Sequence, residues 1–195
     1  MQRAEGTPRR KGLAGSSGAA LVEFAVILPF LLLLILAVID FGHLIQTRLI
    51  MTNVSREGGS IGSRQDPLDA GMPDMLVASG RPLDFAGVDG KVVITRIEAG
   101  KSAQAPSPTI TQQYQRGGLS ARSGIDRNMP TLGLTQRLHD RLVFNANNGT
   151  ADIAEVTVVE TYFKYRPITP LSRMLMPGML TPSGDGMILR SKAVY

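Results

Sequence analysis

The 21 residues from Ala19 to Ile39 read AALVEFAVILPFLLLLILAVI, with Glu23 their only charge. No other feature limits the possible folds as much. A helix rises about 1.5 Å per residue, so this run makes a rod about 30 Å long, the thickness of a bilayer hydrocarbon core. A core helix of a soluble domain keeps a polar stripe, whereas the four consecutive leucines Leu31 to Leu34 leave none on the central turns, and the run reads as a transmembrane helix. Arg3, Arg9, Arg10 and Lys11 precede it against one acid, Glu5. That asymmetry places the N-terminus in the cytoplasm and everything from Asp40 onward on the far side. A cleaved secretory signal starts the same way, but its apolar region spans about 7–15 residues and ends in a small-residue cleavage site. Here the exit reads LAVIDFGHLIQ, so the anchor is expected to stay.

Two residues break the rules of such a span. Pro29 has no N–H for the carbonyl of Ala25, and a kink or a short unwound stretch is expected there. Glu23 is an ionisable group in an apolar helix, which either reaches interfacial water or faces a partner. The surrounding residues bear on that choice. Residues 18–24 read GAALVEF: a glycine, four residues, a glutamate and an aromatic, at the junction of a basic leader with an apolar helix. This resembles the processing site of type IV pilin-like proteins, whose membrane peptidase cuts after the glycine. Gly18 then ends the leader and Ala19 opens the mature chain. Gly12 and Gly15 are rival cut points, but the fifth residues beyond them are Ser17 and Ala20, so only Gly18 puts a glutamate at the fifth mature position.

The longer stretch GAALVEFAVILPFLLLLILAVIDFGHLIQTRLIMTNVSREGGSIGS resembles the TadE-like family of tight-adherence (Flp) pilus assembly proteins. The likeness lies in the acid and aromatic, the proline inside the leucine run, the acid-Phe-Gly exit and the helix running to Arg56, Glu57 and Gly58. The end of the chain is similar too, with TYFKYRPITPL, a loop and ILRSKAVY, while residues 63–140 match nothing in that family's pattern. The resemblance implies a minor pilin or pseudopilin, a non-catalytic component that helps initiate or assemble the pilus. It implies a bacterial inner-membrane location with one pass and an extracytoplasmic C-terminal domain. The implied partners are the lipid bilayer, a prepilin peptidase, other pilins or pseudopilins and the assembly platform. It also implies that Glu23, with Phe24 beside it, makes an assembly contact with the new amino group of a neighbouring subunit's Ala19. Many pilin-like chains open on Phe or Met, the residue that is methylated; Ala19 stands there here.

Past Asp40 the helix is expected to run on to Gly62, since no proline intervenes before Pro67, with Leu44, Ile45, Leu49, Ile50, Val54 and Ile61 as its apolar stripe. Gly58 and Gly62 read as helix termination more than as a helix-pairing motif. The Pro-, Gly- and Asp-rich stretch 63–90 reads as a linker or irregular loop, with at most a short helix near Met75 to Ser79. KVVITRIEA, DIAEVTVVETYFKY and MILRSKAVY read as strands, and Asn148-Gly149 as a hairpin turn. Between them SAQAPSPTITQQYQRGGLSARSG reads as an exposed polar insertion, and LGLTQRLHDRLVF as a helix or a helix leading into a strand. The expected architecture is α+β: a basic leader (1–18), a transmembrane helix (19–39), its extension (40–62), a linker (63–90) and a small antiparallel-sheet domain (91–195).

Composition excludes more than it assigns. With no cysteine there are no disulfides, thiolate metal sites or thiol nucleophiles. His43 and His139 are the only histidines, His139 expected on a solvated face, and no metal, cofactor or small-molecule substrate is expected. The acids Asp66, Asp69, Asp74, Asp84 and Asp89 lack the alternating spacing of a calcium loop. The net charge of +5 and pI near 9.9 suggest nucleic acid only until the leader is set aside. Residues 1–18 hold four basic residues and one acid, which leaves 17 basic against 15 acidic in the other 177. The alternative to a pilin-like protein is a single-pass anchor carrying a periplasmic binding domain, or a hydrolase built on sheet carboxylates such as Glu155 or Glu160.

Overall fold

The computed structural model describes residues 14–169 and 186–195, with side chains described from Gly18 onward. The basic leader residues Arg3, Glu5, Arg9, Arg10 and Lys11 lie outside the described residues, as does 170–185 of the last loop. The fold is α+β. One 49-residue helix, α1 (Ala14–Gly62), is followed by α2 (Met72–Ser79), β1 (Gly90–Glu98), β2 (Thr109–Arg116), α3 (Gln136–Leu142), β3 (Glu155–Tyr165) and β4 (Met187–Val194). The strands form one antiparallel sheet in the order β2-β1-β3-β4.

α1 is helical on both sides of Pro29, so there is no unwound stretch at that position. Its second half lies along the sheet. Thr47, Met51, Val54, Ser55, Gly58, Gly59 and Gly62 are all buried, at steps of three and four. The expected stripe holds in part: Val54 is in the core and Leu44, Ile50 and Ile61 pack against it, but Ile45 and Leu49 point outward, 44% and 59% exposed, and small residues take the places closest to the sheet. The reason is distance. A Cβ on Gly58 would meet Leu76 Cδ1 at 2.6 Å, and one on Gly62 would meet Thr157 Cγ2 at 2.9 Å, so small residues let the helix backbone settle onto the strands. Gly62 also ends the helix, so termination and close packing share one residue.

β1 and β3 are the central strands, and they read as nearly continuous runs of β-branched residues because both their faces are covered. Val92, Ile94, Val159 and Leu189 meet Met51, Val54, Leu76 and Phe85 on the α1 side. Burying each such side chain contributes roughly 1.5–3 kcal/mol. The opposite face is covered by the segment between β2 and α3, through Leu119, Ile125, Leu132 and Leu134.

Further expectations are corrected here. The short helix expected near Met75 to Ser79 is present as α2, but the stretch 63–90 around it is not a linker: it supplies Leu68, Met72, Leu76, Leu83 and Phe85 to the core, and its prolines and glycines mark tight turns between buried positions. The polar insertion holds β2, whose QQY run suits an edge strand with one open side. His139 is only 16% exposed, because α3 lies against the second core with Leu142 fully buried. Asn148-Gly149 does turn the chain, with Gly149 at φ 72° and Asn145 bridged to Thr150, but between loop residues; β3 begins only at Glu155.

Candidate functional site

Gly18, Ala19, Glu23, Phe24 and Pro29 all lie in the exposed first half of α1. Apart from its own helix backbone and chain neighbours, nothing described comes within 4 Å of a Cβ built on Gly18. Phe24 is 59% exposed and Phe30 70%, and the most apolar window of the helix is 0% buried. Among the described residues one helix is long and apolar enough to cross a membrane. Ala19 and Glu23 are four residues apart, one turn along the same face. Among the described residues Glu23 makes no ion pair. The outward apolar face continues beyond the span as Phe41, Ile45 and Leu49, at i, i+4 and i+8.

Where the span ends, the helix is tied to the sheet. Asp40 Oδ1 accepts from the backbone N–H of Ile168 (3.0 Å) and Thr169 (2.9 Å), and Oδ2 accepts from Thr169 Oγ1 at 2.6 Å. Tyr165 donates its hydroxyl to the Asp40 carbonyl at 2.8 Å, and its ring lies 5.4 Å from that of His43. Burial, and then the Asp40 charge, push the Tyr165 hydroxyl above its ordinary pKa. The acid-Phe-Gly exit and the TYFKYRPIT segment are thus two halves of one joint. They are 129 positions apart in sequence, which hid the pairing.

The other end of α1 is closed by Arg96, 1% exposed among the β-branched residues of β1. Its guanidinium donates to the carbonyl of Gly62 at 2.9 Å, to that of Gln65, and to Asp66 at 3.0 Å. Glu155 lies 3.6 Å away. A cation on the last carbonyls of a helix satisfies orphan acceptors and complements the helix dipole.

On the opposite face of the sheet Glu160 is fully buried. It accepts hydrogen bonds from Ser123 Oγ, Gly124 N (3.2 Å), the Tyr162 hydroxyl (3.1 Å) and Arg190. Both oxygens are engaged by this chain's own donors, which leaves the hydrolase alternative no open carboxylate at that position. Burial and then the Glu160 charge push the Tyr162 hydroxyl up to about 12, while burial pulls Lys192 below the usual lysine range. A raised tyrosine pKa leaves stability unchanged below pH 10, where both states hold the proton. Between pH 10 and 12 the unfolded chain ionises first, so stability falls by about 2 kcal/mol. Lys192 acts oppositely in the window just below its ordinary pKa. Alkaline unfolding titrations of wild type and Tyr162→Phe are expected to differ in slope between pH 10 and 12, with the shallower fall in the variant. Parallel slopes would remove Tyr162 as the responsible group.

The acids of the loop region are each engaged: Asp66 by Arg96, Asp74 by Arg116, Asp89 by Arg166, and Asp69 and Asp84 by turn N–H groups. No group of three His, Asp or Glu side chains suited to a metal gathers among the described residues. No curated protein and no solved structure matches the chain. A family model does match, over residues 18–60. That stretch begins at the glycine before the span and ends near the end of α1, and over it the chain is similar to the TadE-like protein family.

Proposed function

We propose that the chain is a minor pilin or pseudopilin of a tight-adherence (Flp) pilus, inserted with its N-terminus in the cytoplasm and its sheet domain outside the inner membrane. The TadE-like match associates the chain with the Tad pilus. The observation that carries the finer reading is an exposed, unpartnered helix that opens on G-x-x-x-x-E and keeps an apolar outer face past the bilayer. In this reading a prepilin peptidase cuts after Gly18, freeing the Ala19 amino group. The helix then enters an assembly of other pilins on the assembly platform, packing through the face that includes Phe24, Ile45 and Leu49.

Glu23 sets the axial position of the subunit by meeting the Ala19 ammonium of a neighbour. Two unit charges 4 Å apart attract by about 4 kcal/mol at an effective dielectric near 20, against about 1 kcal/mol in water. Desolvation of both groups offsets much of this, so the pair selects register more than it adds stability. Pro29 bends the helix or frees a carbonyl within the same packing.

Intact mass of the chain from native membranes is expected to show residues 1–18 missing. Glu23→Ala is expected to be inserted and processed normally but to fall several-fold in the fraction that co-purifies with the major pilin. An uncut wild-type chain, or full recovery of the variant in assemblies, would overturn this reading.

A further inference from the structure

We propose that the end of the sheet domain nearest the span is a lipid-contacting base, with Ile168 and Val88 seated in the headgroup layer of the membrane that α1 crosses. The proposal rests on α1 being a membrane span. Asp40 follows the last apolar residue of that span, so at about 1.5 Å rise per residue its carboxylate sits at the edge of the hydrocarbon. Ile168 and Thr169 are hydrogen-bonded directly to that carboxylate, and they share its depth. Ile168 is 64% exposed there, an aliphatic side chain held at an interface with its backbone N–H satisfied.

The loop before β1 comes to the same level. Asp89 accepts the backbone N–H of Lys164 at 2.7 Å and pairs with both guanidinium nitrogens of Arg166, two residues before Ile168. Val88, next to Asp89, is 76% exposed, the most exposed of the large apolar side chains among the described residues. Phe41, beside Asp40 on the helix, and Ile188, opposite Lys164 in β4, are 64% and 51% exposed at this end. These side chains come from α1, the β1 approach, the β3 exit and β4, and the Asp40 and Asp89 joints hold them at one end of the domain. Their occupant is the phospholipid surface, because the same end is continuous with an apolar helix that has no protein around it. Asp40 is the strut: it fixes the angle between helix and sheet, and so the depth of the base.

The chain has no cysteine, so single substitutions place one nitroxide each. The full chain is reconstituted in phosphatidylethanolamine and phosphatidylglycerol vesicles with labels at Ile168→Cys, Val88→Cys, Phe30→Cys in the span and Lys101→Cys at the far end of β1. The ratio of oxygen to nickel-chelate accessibility is expected to rank Phe30 highest, Ile168 and Val88 intermediate and Lys101 lowest, with a several-fold step between the base and Lys101. Base labels as aqueous as Lys101, with Phe30 in the bilayer, overturn the proposal, including when they become protected only in pilin assemblies. A Phe30 label in water overturns the span itself. Asp40→Ala and the milder Thr169→Val are expected to move the Ile168 label toward water while tyrosine emission keeps its folded value. An unmoved label in a folded variant of both kinds overturns the strut.

Discussion

Arg96→Ala is expected to lower the stability of the sheet domain by about 3 kcal/mol, although its acidic partner is a surface residue. Asp66 is 88% exposed and returns to water when the guanidinium goes, so the lost ion pair is a minor part of that figure. The carbonyls of Gly62 and Gln65 lose their donor at the end of a 49-residue helix, in a place Arg96 itself fills. Orphaned buried acceptors cost about 1–3 kcal/mol each, and the void left by the long side chain adds to this. Arg96→Met separates the two contributions, since it fills the space without donating. It is expected to recover the packing part only. Arg96→Lys keeps the charge but not the fork, and is expected to fall between wild type and Met. All four tyrosines lie in or beside the strands and there is no tryptophan, so tyrosine emission during urea unfolding in detergent reports this domain while the span stays helical. A loss under about 0.5 kcal/mol for Arg96→Ala would mean that the helix end is satisfied by water instead.

Arg96 also marks where the sequence stops being readable. The span was legible because 21 residues of one character admit one environment, and β1 and β3 because β-branched runs bounded by turns have few other uses. The face of α1 against the sheet was harder. Periodicity counts large apolar residues: it found Val54, Leu44, Ile50 and Ile61 but also took in Ile45 and Leu49, and it passed over Thr47, Ser55 and Gly58, which close approach selects. The region 63–90 misled for a related reason: Leu68, Met72, Leu76, Leu83 and Phe85 enter the core from turns and one short helix, so neither a period of two nor one of 3.6 shows in them. β2 was invisible because an edge strand with one covered side is built from Gln and Thr as readily as from Val. In the candidate site, Gly18, Ala19, Glu23 and Phe24 could be named because their spacing is local. Asp40 was visible only as an exit residue, since nothing in its neighbourhood announces a partner in Thr169.

Glu160→Ala is expected to cost about 3–4 kcal/mol and to loosen one segment first. The carboxylate is fully buried and receives Ser123 Oγ, Gly124 N, the Tyr162 hydroxyl and Arg190, donors drawn from β3, β4 and the chain between β2 and α3. Arg190 is 44% exposed and turns to solvent when the carboxylate is removed. Ser123 and Gly124 have no such exit without leaving the sheet. The cheapest response is local opening of their segment, which otherwise seals Val93 and Tyr162 through Leu119. Trypsin reads this directly, because Arg122 and Arg127 flank the clamp and have exposed side chains. Cleavage at those two positions is expected to accelerate in Glu160→Ala more than cleavage at Arg116, which lies at the end of a paired strand. Glu160→Gln keeps the volume and one acceptor, and is expected to lose about 1–2 kcal/mol with a smaller rise in cleavage. Equal acceleration at all three arginines would point to global unfolding and remove the clamp; no acceleration at all would show that Leu119, Ile125 and their neighbours hold the segment by packing alone.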